Sequence, residues 1–306
     1  MTTRDALPSG IVTPLVTFLT ADGDPDAAAM RVLIDAQLSA GIHGLLAVGS
    51  TGELGSLTPA RRARSVEVVV DATAGRAPVW AGVAGLGTDE AVTAARDAVA
   101  AGADAVLVLP PLFFDSSDSE LERHFSLVAD AVAVPVVAYD VPPRTPRKLP
   151  AGVIARLAEA GALRGVKDSS GDLTAGRLMV EAVSGVPGFR TYIGSEITID
   201  AAFALGFDGI VPGFANVLPA PAVALFDAHR DGRVDADAVQ RYLRLFEVLR
   251  IVLDGAGGPA AAINALKVGA AHALGLPVSP VAEPFTPPTE EFAAQIRRIV
   301  DMIDGA

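Results

Sequence analysis

Short apolar runs alternate with amphipathic stretches along most of the chain. Residues 11–16, 42–48, 79–83, 105–109, 134–139, 163–166, 191–193 and 208–211 read as eight strands, each short, apolar and closed by glycine, proline or a polar turn. Between them the apolar period lengthens to that of a helix. Over 26–40 the apolar positions 30, 33, 34 and 38 mark one face, and Gly41 ends it. Thr58-Pro59 supplies an N-cap and a proline in the first turn of a helix to 73. The pattern predicts further helices over 88–101, capped by Thr88, and over 119–131, 150–160, 173–183, 197–205 and 218–228. After Gly232 it changes: 235–253, 260–274 and 289–303 read as three helices with no strands between them.

Eight strand–helix units in succession are the arithmetic of a (β/α)8 TIM barrel. An open doubly wound sheet gives the same alternation. Two features favour the barrel: no G-x-G-x-x-G follows the first strand, and the count reaches eight without a break. The expected organisation is a barrel catalytic domain over 1–230 and a C-terminal three-helix extension over 231–306.

Of the 306 residues 51% are apolar, enough for a large core, and the formal charge is −12, which argues against nucleic acid and anionic membranes as partners. There is no cysteine, so disulfides, thiolate metal sites and cysteine nucleophiles are excluded. His43, His124, His229 and His272 are scattered without metal-ligand spacing, and no metal is expected. The first residues lack the apolar core of a signal peptide, and no apolar run reaches the ~18 residues of a membrane span. A cytoplasmic protein is expected.

In such barrels the chemistry sits at the C-terminal ends of the strands. The second strand ends in Gly49-Ser50-Thr51-Gly52-Glu53, which by itself reads as an ordinary βα turn, or else as a tight turn whose hydroxyls and N–H groups suit a carboxylate. The fifth ends in Tyr139-Asp140-Val141-Pro142-Pro143-Arg144-Thr145, and the sixth in Lys167-Asp168-Ser169-Ser170. Only three lysines, Lys148, Lys167 and Lys267, occur among twenty-four Lys and Arg residues. A lysine at a strand mouth, where arginine supplies most other cations, suggests a nucleophilic amine, since lysine sheds its proton when desolvated and arginine does not. An ion-paired lysine at a strand end is the plainer alternative. Tyr139 is a proton shuttle or a core aromatic with a wet tip. Arg144 is a surface cation or a clamp for a second carboxylate. Gly194 and Ser195, which end the seventh strand, complete the candidate substrate-binding set. The Glu196 that follows them argues against a phosphate site there.

Residues 49–53, 139–145 and 165–172 together resemble, in order and spacing, the dihydrodipicolinate synthase / N-acetylneuraminate lyase family, and the likeness runs over essentially the whole chain. It implies a Schiff-base mechanism on pyruvate or a larger 2-oxo acid, with no cofactor beyond the covalent imine on Lys167. Tyr139 would relay protons, and Ser50 and Thr51 would hold the 2-oxo acid carboxylate. It also implies a homo-oligomer, a tetramer built as a dimer of dimers. Two departures bear on the reaction. Phe113 stands where the synthases carry a relay tyrosine that reaches the neighbouring subunit's site, and Ser50 stands where they carry threonine. Arg144, in contrast, matches the synthases. The reading favoured is aldol cleavage or dehydration of an acidic hydroxy-2-oxo acid, of the 4-hydroxy-2-oxoglutarate or 2-keto-3-deoxy sugar acid type. The alternatives are 4-hydroxy-tetrahydrodipicolinate synthase and a non-catalytic 2-oxo acid binder.

Overall fold

The computed structural model describes residues 7–232, 236–237, 239–240, 242–244, 246 and 259–304. Eight parallel strands close on themselves in chain order: β1 (Gly10–Pro14), β2 (Gly44–Ala47), β3 (Val79–Val83), β4 (Ala105–Val108), β5 (Val136–Asp140), β6 (Gly165–Asp168), β7 (Arg190–Ile193) and β8 (Gly209–Ile210). β8 pairs with β1, Gly10 opposite Gly209, so no sheet edge remains. The barrel is the expected one, and the open sheet is ruled out.

The helices that follow the strands are α1 (Ala27–Ser39), α2 (Pro59–Thr73), α3 (Thr88–Ala100), α4 (Asp118–Ala131), α5 (Ala151–Glu159), α6 (Leu173–Val183), α7 (Ile199–Leu205) and α8 (Pro219–Arg230). Their starts are written in the sequence. The Asp26 carboxylate accepts from the N–H groups of Ala28 and Ala29, Thr58 caps Arg61, and Ser117 and Glu120 form a reciprocal capping box. One cap differs from expectation. Gly87, not Thr88, is the N-cap of α3, and the Thr88 hydroxyl is bonded instead to His124 Nδ1 at 3.0 Å.

The sixth strand also runs two residues further than the apolar pattern implies. It ends at Asp168, so Lys167 lies inside the strand rather than just beyond it. The pattern stops early because Lys167 and Asp168 are polar, yet both are buried.

After β8 no strand occurs among the described residues. α9 (Pro259–Ala273) and α10 (Glu290–Asp304) form the C-terminal helical extension. The helix expected over 235–253 falls largely outside the described residues, and those described between 236 and 246 are helical. No described helix is long and apolar enough to cross a membrane.

Candidate active site

Register decides which strand residues meet. Tyr139 on β5 is the partner of Lys167 on β6, and Asp140 is the partner of Asp168. Successive strand residues point to opposite faces. Tyr139 and Lys167 therefore share the inner side, where both line one cavity of about 260 Å³. Asp140 and Asp168 share the other side, where Lys148 bridges them: its Nζ is bonded to Asp140 Oδ2, to Asp168 Oδ2 at 3.1 Å and to Ser170 Oγ at 3.0 Å. Burial alone would lower the Lys148 pKa, but its bonds to Asp140 and the charge of Asp168 outweigh it and hold the amine protonated.

Lys267, on α9, is likewise committed. It is buried against Glu53 and donates to the Pro280 carbonyl at 2.7 Å. Lys167 has no carboxylate ion pair among the described residues. It is 5% exposed, with Nζ 4.3 Å from the centroid of the Tyr139 ring.

Tyr139 is 3% exposed, and its hydroxyl lies 3.4 Å from Ser50 Oγ. Burial would raise the phenol pKa. The Lys167 charge, the Ser50 hydrogen bond, the Arg144 charge and a bond to Ser169 together bring it down to about 8.

Ser50 and Thr51 line the cavity from a compact turn in which Gly52 and Leu54 N–H groups bond to the Gly49 carbonyl at 3.0 and 3.2 Å. The chain enters this turn through Val48 at φ 46, a left-handed conformation that a β-branched residue adopts only under strain. Two long-range anchors hold it. Thr17 Oγ1 donates to the Gly52 carbonyl at 2.9 Å, and Glu53 reaches Lys267.

Arg144 is exposed and stands at the cavity mouth. Gly194 lines the wall, and a Cβ there would sit 2.1 Å from Ser169 Oγ and 3.0 Å from Lys167 Cε. A side chain at this strand end would thus displace Ser169 and crowd Lys167. Ser195 is not brought to this cavity. It faces a small space behind it, with Ile199 and Pro212. Phe113 and Phe114 do not line the cavity either: they are 68% and 75% exposed and packed edge to face.

The lining and supporting residues that lie outside the sequence-derived set include Ser169, Glu196, Tyr242 and Phe246. Ser169 and Glu196 carried a usable signal, since each lies within three residues of a β-strand end. Tyr242 and Phe246 come from beyond the barrel, and no local pattern points to them. A larger cavity of about 480 Å³ lies between α2 and α3, lined by Arg62, Asp89, Glu90 and Asp97. It contains no lysine or tyrosine, so volume alone does not select the chemical site. Among the described residues no group of three or more His, Asp or Glu is placed to hold a metal.

The sequence profile of the Dihydrodipicolinate synthetase family matches residues 7–303. The 4-hydroxy-tetrahydrodipicolinate synthase of Anaeromyxobacter dehalogenans is 36% identical over 274 residues, 89% of this chain and 90% of the relative. An uncharacterized DapA-like lyase of Halobacterium salinarum is 36% identical over 227 residues, 73% of this chain and 72% of the relative. YagE, a prophage protein of the dihydrodipicolinic acid synthase family from E. coli K12 solved in complex with pyruvate, superposes with a TM-score of 0.88 at 31% identity. That match covers 96% of this chain and 98% of YagE. The barrel, the order of the three strand-end motifs and a match over nearly the whole length agree, and the protein belongs to the dihydrodipicolinate synthetase family, as an enzyme of the lyase class.

Proposed function

We propose that the protein forms an imine between Lys167 and a 2-oxo acid and uses it to cleave or dehydrate an acidic hydroxy-2-oxo acid. One observation carries this reading. Of three lysines, two are held by carboxylates, and the third points into a barrel-mouth cavity beside a phenol. An amine that no carboxylate engages is available to attack a carbonyl. The protonated imine then draws electrons from the adjacent carbon, so one lysine serves aldol cleavage and dehydration alike.

Tyr139 is assigned the protons that move while the imine forms. Its position over Nζ and its bond to Ser50 support that role. Ser50 and Thr51 are assigned the 2-oxo acid carboxylate, and Arg144 at the mouth the distal carboxylate, which a guanidinium can hold through two parallel bonds. The covalent imine serves in place of a resident cofactor. A homotetramer built as a dimer of dimers belongs to the same reading. The exposed Leu86, Phe113 and Phe114 on the barrel rim support self-association there.

The second reading is condensation of pyruvate with aspartate semialdehyde, as the name of the Anaeromyxobacter relative suggests; Arg144 favours it. Phe113 disfavours it, because a phenyl ring cannot pass a proton to a neighbouring subunit's site. The test compares kcat/KM for this condensation with that for cleavage or dehydration of 4-hydroxy-2-oxoglutarate and 2-keto-3-deoxy sugar acids. The expected result is a clear preference for the acids. Condensation at ~10⁴ M⁻¹s⁻¹ or above, the range of native reactions, would promote the synthase reading. Phe113→Tyr is expected to raise condensation and leave cleavage nearly unchanged.

A further inference from the structure

Glu196 opens the short 3₁₀ turn after β7, Glu196–Thr198, and lines the Lys167 cavity. Its carboxyl is tightly held. The Phe214 N–H donates to both oxygens at 3.2 Å, and the Tyr242 hydroxyl, from the C-terminal extension, donates to Oε2 at 2.8 Å. Oε1 has no side-chain bond, and it lies 3.4 Å from the point where a Cβ on Gly213 would stand. Thr51 Oγ1 is 4.0 Å from the same point. Gly194 lines the same cavity, where Ser169 Oγ and Lys167 Cε already fill the place that a Cβ would take. Gly213 thus leaves room between Glu196 Oε1 and the hydroxyl assigned to the substrate carboxylate, in the cavity that Lys167 also lines.

We infer that Glu196 is the second proton carrier of this site: its Oε1 removes and returns the proton on C3 of the 2-oxo acid bound to Lys167, and Tyr242 positions it. This rests on the reading of Lys167 as the imine-forming amine. The step balances. From the protonated imine the carboxylate takes the C3 proton, the C–H pair becomes the C2=C3 double bond, and the C=N pair becomes the nitrogen lone pair. A neutral enamine and a neutral carboxylic acid result, and the reverse step returns the proton. Every reaction open to the Lys167 imine passes through that enamine.

The electrostatics fit a group that cycles. Burial pushes the Glu196 carboxyl up to about 7, against the bonds from Tyr242, Phe214 and Gly213 and the Lys167 charge, so both protonation states are populated near neutrality. Tyr242 is pushed well above the ordinary phenol range by burial and by Glu196 itself. It therefore keeps its proton, Oε2 stays an acceptor, and the exchangeable proton sits on Oε1. Among the described residues the other titratable groups lining the cavity are Lys167, Tyr139 and Arg144.

The test needs only pyruvate, whose methyl protons exchange with D2O through the enamine, followed by proton NMR. Borohydride trapping on Lys167 is run in parallel. Glu196→Gln is expected to trap pyruvate as the wild type does and to slow methyl exchange by ~10²–10⁴-fold, the scale of a lost general base. Trapping with exchange within a few-fold of wild type would overturn the assignment of Glu196 alone. Failure of the wild type to trap pyruvate on Lys167 would overturn the lysine reading and this inference with it. Tyr242→Phe provides a second readout that does not depend on the glutamine variant folding. Removing a bond that favours the carboxylate should move the exchange midpoint upward from about pH 7, and an unmoved midpoint would contradict the role.

Discussion

Lys167 and Tyr139 are direct register partners on adjacent parallel strands, with the lysine Nζ 4.3 Å from the centre of the phenol ring. The barrel sets this relationship rather than a loop, so the two groups are held as rigidly as the sheet itself. On the opposite face the next residues, Asp140 and Asp168, are bridged by Lys148, which fastens the same two strands at the same level.

Tyr139→Phe is expected to leave 2-oxo acid binding largely intact and to lower turnover by roughly 10²–10⁴-fold, the scale of a lost acid–base group. Steady-state kinetics with the best substrate checks this. Activity within a few-fold of wild type would make Tyr139 a packing residue.

The phenol also sets a pH limit. Its pKa lies near 8, below the ordinary tyrosine value, because Lys167, Ser50, Arg144 and Ser169 together outweigh burial. Below that pH it holds a proton to give, and above it the proton is lost. Turnover should therefore fall as pH rises through about 8. A kcat profile without that alkaline limb would contradict the proton-donor role.

Ser50→Ala combined with Thr51→Val should weaken 2-oxo acid binding, seen as a higher KM with a smaller change in kcat, because a carboxylate is held equally in ground and transition states. A pure kcat defect would reassign the turn.

Gly194→Ala places a Cβ 2.1 Å from Ser169 Oγ and 3.0 Å from Lys167 Cε. The side chains must shift, and the amine loses its approach to the cavity. The expected outcome is a folded protein, checked by thermal unfolding, with strongly reduced imine trapping. Unchanged trapping would show that Lys167 uses a different path.

Lys267→Met leaves the buried Glu53 without its cation, and losing one partner of such a pair costs ~3–5 kcal/mol. Urea unfolding measures this. Adding Glu53→Gln should restore part of the loss, since the stranded charge is then gone. No recovery would place the effect in packing rather than in charge.

The eight strands and their helices were legible because the two periods alternate without interruption and a cap such as Thr58 is local. The candidate site followed from a topological rule, that strand ends converge, and Ser50, Tyr139 and Lys167 do line one cavity. Polarity misled at the end of β6, where two polar residues, Lys167 and Asp168, are buried inside the sheet. The sequence could not show that Lys148 and Lys267 are engaged by carboxylates. Nor could it show that Tyr242 meets Glu196, a contact spanning 46 residues. Those pairings are products of tertiary packing, and they are what single out Lys167 and complete the site.

The central claim is tested most directly by incubating the protein with pyruvate, reducing with borohydride and mapping the modified peptide. The expected result is a single adduct on Lys167, absent from Lys167→Arg because a guanidinium does not form the imine. An adduct on Lys148 or Lys267 with Lys167 unmodified, or no adduct at all, would contradict it.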